Sequence, residues 1–114
     1  MPVQAKICGI STPEALDAAI KGGASHVGFV FFAKSPRNLD PERARALAQQ
    51  VPGHVGKVGL FVDPDPSFVA SALSVVPLDV LQLHGAESPA FAASLGAAHG
   101  KEIWKAIPVR TRAD

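Results

Sequence analysis

Four times along the chain a small polar residue stands directly before proline: Thr12-Pro13, Asp40-Pro41, Asp65-Pro66 and Ser88-Pro89. Each dipeptide has the chemistry of a helix start. A short side-chain oxygen accepts a hydrogen bond from a free N–H group of the first turn. Proline suits the first helical position, where its missing N–H costs nothing. Ser11 is an alternative first cap, because Ser11-Thr12-Pro13-Glu14 also fits a capping box. The prolines are 28, 25 and 23 residues apart, close to the length of one strand-plus-helix unit.

The stretches between these starts fit that unit. Short apolar runs predict strands at Val3–Cys8, His26–Phe32, Gly56–Val62, Asp79–Leu83 and Glu102–Ile107. Helices are expected over Pro13–Lys21, Pro41–Gln50, Pro66–Val75 and Pro89–Ala98, with the glycines at 22–23, 53 and 100 closing three of them. Strict alternation of strand and helix predicts parallel strands joined by right-handed crossovers. No linker, low-complexity stretch or charge run divides residues 1–114, so they are expected to form a single domain.

Two α/β architectures share this pattern. One is an open, five-stranded, doubly wound sheet. The other is the opening part of a closed (βα)8 TIM barrel, its first four βα units plus the fifth strand. Length favours the open sheet, since a whole barrel takes roughly 200 residues or more. The polar residues inside the strands favour the barrel. A doubly wound sheet has helices on both faces, and its strands are nearly all apolar. Here Lys6 and Cys8 share one face of the first strand, and Gln82 and His84 share one face at the end of the fourth. Lys105 lies within the fifth, between Trp104 and Ala106. Polar groups aimed one way from several strands suit the upper interior of a barrel.

Composition closes off several function classes. The 11 basic and 10 acidic residues are scattered, without the clustered positive patch that nucleic acid requires. No apolar run is long enough to span a bilayer, and the first residues lack the apolar core of a signal peptide. One cysteine cannot form an internal disulfide. Together these features predict a cytoplasmic protein that binds neither nucleic acid nor membrane. There is no Gly-x-Gly-x-x-Gly or phosphate-loop sequence, and the histidines and cysteine lack metal-ligand spacing. No cofactor and no metal are expected.

The candidates for chemistry lie at strand ends. Cys8, in "KICGI", ends the first strand on the side where α/β proteins carry their sites. It is either an inert buried thiol or a reactive one. A thiol is slightly ionised at neutral pH, and a cation such as Lys6 close by would raise that share and suit it to act as a base or nucleophile. Arg37, in "SPRN" after the second strand, offers a planar fork for a carboxylate or phosphate, or is a solvated loop charge. His84 closes "LQLHG" and is a substrate contact or a strand-end histidine. Asp63, in "FVDPDP", is a carboxylate of the site or, the preferred reading, a turn residue ahead of the Asp65 cap. His26, His54 and His99 fall towards the opposite face and read as structural or solvated.

These pieces resemble a known family. "KICGI", "GASHVGFVFFAKSPRN", "VGLFV", "LQLHG" and "IWKAI" stand in the order and spacing of the first five strands of the phosphoribosylanthranilate isomerases, (βα)8-barrel enzymes of tryptophan biosynthesis. The resemblance covers Val3 to Ile107. It implies an Amadori rearrangement of N-(5-phosphoribosyl)anthranilate to 1-(2-carboxyphenylamino)-1-deoxyribulose 5-phosphate, without cofactor or metal. It makes Cys8 the general base and Arg37 the partner of the anthranilate carboxylate. Gln82 and His84 would line the same pocket. The family's general acid, an aspartate after strand six, and its phosphate-binding loops after the last two strands have no counterpart in residues 1–114.

The resemblance therefore implies an N-terminal part of the enzyme, inactive by itself, with open sheet edges that favour association into homo-oligomers. Two other readings are a phospho-receiver-like signalling domain, with Asp63 and Lys105 in the relevant places, and a non-catalytic barrel relative. The receiver reading lacks the acidic pair needed after the first strand, where this chain has Cys-Gly-Ile.

Overall fold

In the computed structural model, residues 6–32, 38–85 and 87–105 are described. The elements are β1 (Lys6–Ile7), α1 (Pro13–Lys21), β2 (His26–Phe31), α2 (Pro41–Ala48), β3 (Gly56–Phe61), α3 (Pro66–Val75), β4 (Val80–Leu83), α4 (Pro89–His99) and β5 (Glu102–Lys105). The outer ends of the expected first and fifth strands, Val3 to Ala5 and Ala106 to Ile107, lie outside the described residues.

All four helices begin at the four prolines, and three caps work as their chemistry predicts. Thr12 Oγ1 accepts from the Ala15 N–H at 3.1 Å. Asp40 Oδ1 accepts from Arg43 N–H at 2.9 Å, and Ser88 Oγ from Phe91 N–H at 3.1 Å. Thr12, not Ser11, is therefore the first cap. Asp65 has the extended backbone of a cap, but its side chain makes no capping bond. There the Asp65 carbonyl accepts from the Phe68 and Val69 N–H groups, and Pro66 presets the first turn. Gly23 and Gly100 turn the chain with φ 87° and 62° after α1 and α4. Gly53 does not close α2, which stops at Ala48 with Gln49 as its cap. Pro52 explains the early stop, since it pushes Val51 away from helical backbone.

The sheet order is β1-β2-β3-β4-β5, every pair parallel. A doubly wound sheet reverses direction at a switch point and places later strands on the far side of the first. No reversal occurs here. With crossovers of one hand always stepping the same way, the helices cover one face only. Val27, Phe29, Phe31, Phe61, Leu81 and Leu83 point to that side and pack with Leu16, Leu47, Val69, Ala72 and Leu95 in one buried cluster.

The other face is covered by the sheet itself. Val30, Val58 and Val80 are buried there, apart from the helix-facing cluster. Lys6 Nζ, from β1, donates to Gln82 Oε1 on β4. The rings of His26 on β2 and Trp104 on β5 meet edge to face with centroids 5.0 Å apart. Each contact crosses three strand spacings. On a flat sheet those strands would stand about 14 Å apart, with their side chains roughly parallel. The sheet curls so that its inner face closes on itself, as in a barrel wall, and the open five-stranded alternative is set aside. Among the described residues β1 pairs only with β2, and β5 only with β4.

Candidate active site

The C-terminal ends of β1 and β4 carry Cys8, Gln82 and His84. Cys8 follows β1 directly. Gly9, at φ 82°, and Ile10 then both donate their N–H groups to the Gly28 carbonyl at 3.0 Å. This turn ties the segment after the thiol to β2. A Cβ added at Gly28 would stand 3.2 Å from Cys8 Sγ and 3.3 Å from Lys6 Cε. Both side chains thus lie over Gly28 on the inner face, and the lack of a side chain there makes their room. Cys8 is exposed in residues 1–114.

Lys6 and Gln82 form the floor beneath this mouth. The Lys6 ammonium is engaged with Gln82 and does not stand free beside the thiol, as "KICGI" had suggested. Gln82 is half-buried on the inner face of β4. His84 lies just beyond that strand, exposed, its N–H donating to the Phe61 carbonyl at 2.9 Å. Among the described residues no side-chain partner holds the His84 ring. Arg37 lies outside the described residues. Immediately after it the chain is pinned to the end of β2, with Asn38 bridging Val30 and Leu39 N–H donating to the Val30 carbonyl at 2.9 Å.

Lys105 does not join the inward group. It pairs in register with Leu83, a helix-facing core residue, and side chains alternate along a strand. Its Nζ lies 2.7 Å from Glu87 Oε1 and also donates to the Gly85 carbonyl. Glu87 was not visible as a site residue in the sequence. Its side chain is 2% exposed, and it accepts from Asp63 N–H at 2.7 Å and from Gly85 N–H at 2.9 Å. Burial pushes its carboxyl pKa up. The hydrogen bonds from Lys105 and from the backbone groups of Asp63, Glu87 and Gly85 outweigh that and hold it below the ordinary glutamate value. Asp63 is a turn residue, as expected, in left-handed backbone at φ 44°.

Among the described residues no three His, Cys, Asp or Glu side chains come together as metal ligands, and no helix is long and apolar enough to cross a membrane. The mouth offers an exposed thiol, a carboxamide and an imidazole. These groups can move a proton and hold a polar small molecule.

A family model for N-(5'phosphoribosyl)anthranilate (PRA) isomerase matches residues 5–114. The chain belongs to this family. It is 55% identical over 114 residues to the N-(5'-phosphoribosyl)anthranilate isomerase of Rhodospirillum centenum, covering all of this chain and 53% of that one. Identity to the Paramagnetospirillum magneticum isomerase is 48%, with the same coverage. Among solved structures, a phosphoribosylanthranilate isomerase in complex with reduced 1-(o-carboxyphenylamino)-1-deoxyribulose 5-phosphate superimposes with a TM-score of 0.89 at 37% identity, covering 96% of this chain and 55% of that one. The Thermotoga maritima isomerase gives 0.88 at 37%, covering 95% and 52%. The chain spans about half the length of the relatives it matches, so Cys8 is exposed in residues that supply about half of the wall surrounding it in the relatives' barrel. Its five sequential parallel strands are the N-terminal part of their barrel, and the receiver reading is not favoured.

Proposed function

We propose that this chain supplies the base-bearing half of a phosphoribosylanthranilate isomerase of tryptophan biosynthesis. The reaction is the Amadori rearrangement of N-(5-phosphoribosyl)anthranilate to 1-(2-carboxyphenylamino)-1-deoxyribulose 5-phosphate. Protonation of the furanose oxygen opens the ring to an iminium. A base then takes the proton from the adjacent carbon, and the resulting enolamine tautomerises to the ketone. Cys8 is the base in this reading, Arg37 binds the anthranilate carboxylate, and Gln82 and His84 line the pocket. The acid and the phosphate-binding loops belong to the rest of the barrel, and residues 1–114 are inactive by themselves.

The observation that carries the reading is the family match over residues 5–114, within which Cys8 lies over Gly28 just after β1. The substrate class is supported by the solved relative in complex with a reduced form of the product. Residues 1–114 form one domain in this proposal, its setting is cytoplasmic, and its open edges at β1 and β5 favour association with further copies.

The test is a steady-state assay of a full-length enzyme carrying this sequence as its first half, on enzymatically generated substrate. Turnover is expected. A folded, inactive full-length protein would point instead to a barrel relative without catalysis.

A further inference from the structure

We propose that Glu87 is a positioning residue. Its carboxylate ties three strand ends together at the barrel mouth and thereby sets where His84 stands. Oε2 accepts from Asp63 in the turn after β3. Oε1 accepts from Gly85 in the loop after β4 and from Lys105 at the end of β5. One buried side chain thus joins three neighbouring segments of the wall.

Gly85 is the centre of the knot. Its N–H goes to Glu87 and its carbonyl accepts from Lys105. A Cβ there would lie 2.7 Å from the Asp63 carboxylate, so a larger residue would require that side chain to move aside. Gly85 follows His84 directly, so fixing Gly85 fixes the backbone from which the imidazole projects. The tie also holds Asp63 in left-handed backbone, which a non-glycine residue adopts at a cost. A carboxylate with a cation and two backbone N–H groups is stable when buried. The same donors without it are left unpaired.

The geometric part stands on the chain alone, and the catalytic consequence rests on the isomerase reading. The experiment uses the full-length enzyme carrying this sequence. Glu87→Gln keeps the shape but removes the charge and one acceptor oxygen. Amide hydrogen exchange at Asp63 and Gly85 is expected to quicken about tenfold or more, with mid-strand Val58 and Leu81 unchanged. The His84 ring resonances should shift, and kcat/KM should fall by about tenfold or more, partly recovered in Glu87→Asp.

Unchanged exchange at Asp63 and Gly85 would overturn the tie. Faster exchange with parental kinetics would overturn the positioning role. If Glu87→Gln does not fold, exchange in the parent decides the tie: the Asp63 and Gly85 amides should be protected, and exchange there as fast as in an unfolded chain is equally fatal. An inactive parent enzyme removes the isomerase reading only, and the exchange measurement still decides the tie.

Discussion

Cys8 and Arg37 are assigned different tasks, and single substitutions separate them. A hydroxyl is a far poorer base than a thiolate near neutral pH. Cys8→Ser in a full-length enzyme should lower kcat by about a hundredfold or more while changing substrate binding little. Steady-state kinetics measures both, and a near-normal kcat would remove Cys8 from the mechanism. Arg37→Ala should act on recognition. Losing a charge-assisted, two-pronged pair with a carboxylate costs about 2–4 kcal/mol of binding. Calorimetry with the reduced product reads this directly, and an unchanged Kd would show that the carboxylate is held elsewhere. The sequence pointed to Cys8, Gln82 and His84 because each sits at a strand end with an inward parity. It gave no sign of Glu87. An acid just before the Ser88-Pro89 start reads as part of a helix entry, and its partners lie 24 residues before it and 18 after.

The helices share one kind of start but not one kind of cap, and their stabilities should differ accordingly. Asp40→Ala and Ser88→Ala each remove a side-chain acceptor from a first-turn N–H, and each should cost about 1 kcal/mol. Asp65→Ala removes no such bond and should be nearly neutral. Urea melts of the three variants in the full-length protein would show the contrast, and equal losses would mean that the capping geometry is wrong. The β-strands carry a second regularity. Odd-numbered residues of β2 to β5 face the helices, and even-numbered residues face inward. Lys105 illustrates the rule. Its charge suggested an inward residue, but its odd position places it with Leu83 on the outer side, where Glu87 neutralises it.

The whole molecule should feel acid through Glu87. The group is held below its ordinary value of 4.5 in the folded chain. Its share of stability is therefore complete above the unfolded carboxylate pKa, about 4.3, and is lost as pH falls through the lower folded value. Lys105 and the nearby Asp63 carboxylate are the charges that face it. Urea melts across that range should fall more steeply for the parent than for Glu87→Gln. Parallel loss in the two proteins would mean that Glu87 is not responsible. Expressed alone, residues 1–114 should be catalytically silent and should associate. β1 and β5 are unpaired on their outer sides among the described residues, and Ile7 on β1 is 44% exposed. Sedimentation together with an isomerase assay checks both points. An active monomer would contradict the need for a completed barrel.

The sequence by itself determined the alternation of elements, since caps, prolines and apolar runs act over a few neighbouring residues. It placed all four helix starts correctly, and the five motifs from "KICGI" to "IWKAI", standing in order, were enough to name the family. Other features depended on residues far apart in the chain. Whether the sheet lay open or curled was decided by Lys6 meeting Gln82, 76 residues away, and by His26 meeting Trp104. The engagement of the Lys6 ammonium and the knot around Glu87 arose in the same way. Local propensity sets where a helix begins because its hydrogen bonds close within one turn. A side chain's partner across a barrel is set by the curl of the whole sheet, which no short stretch of sequence encodes.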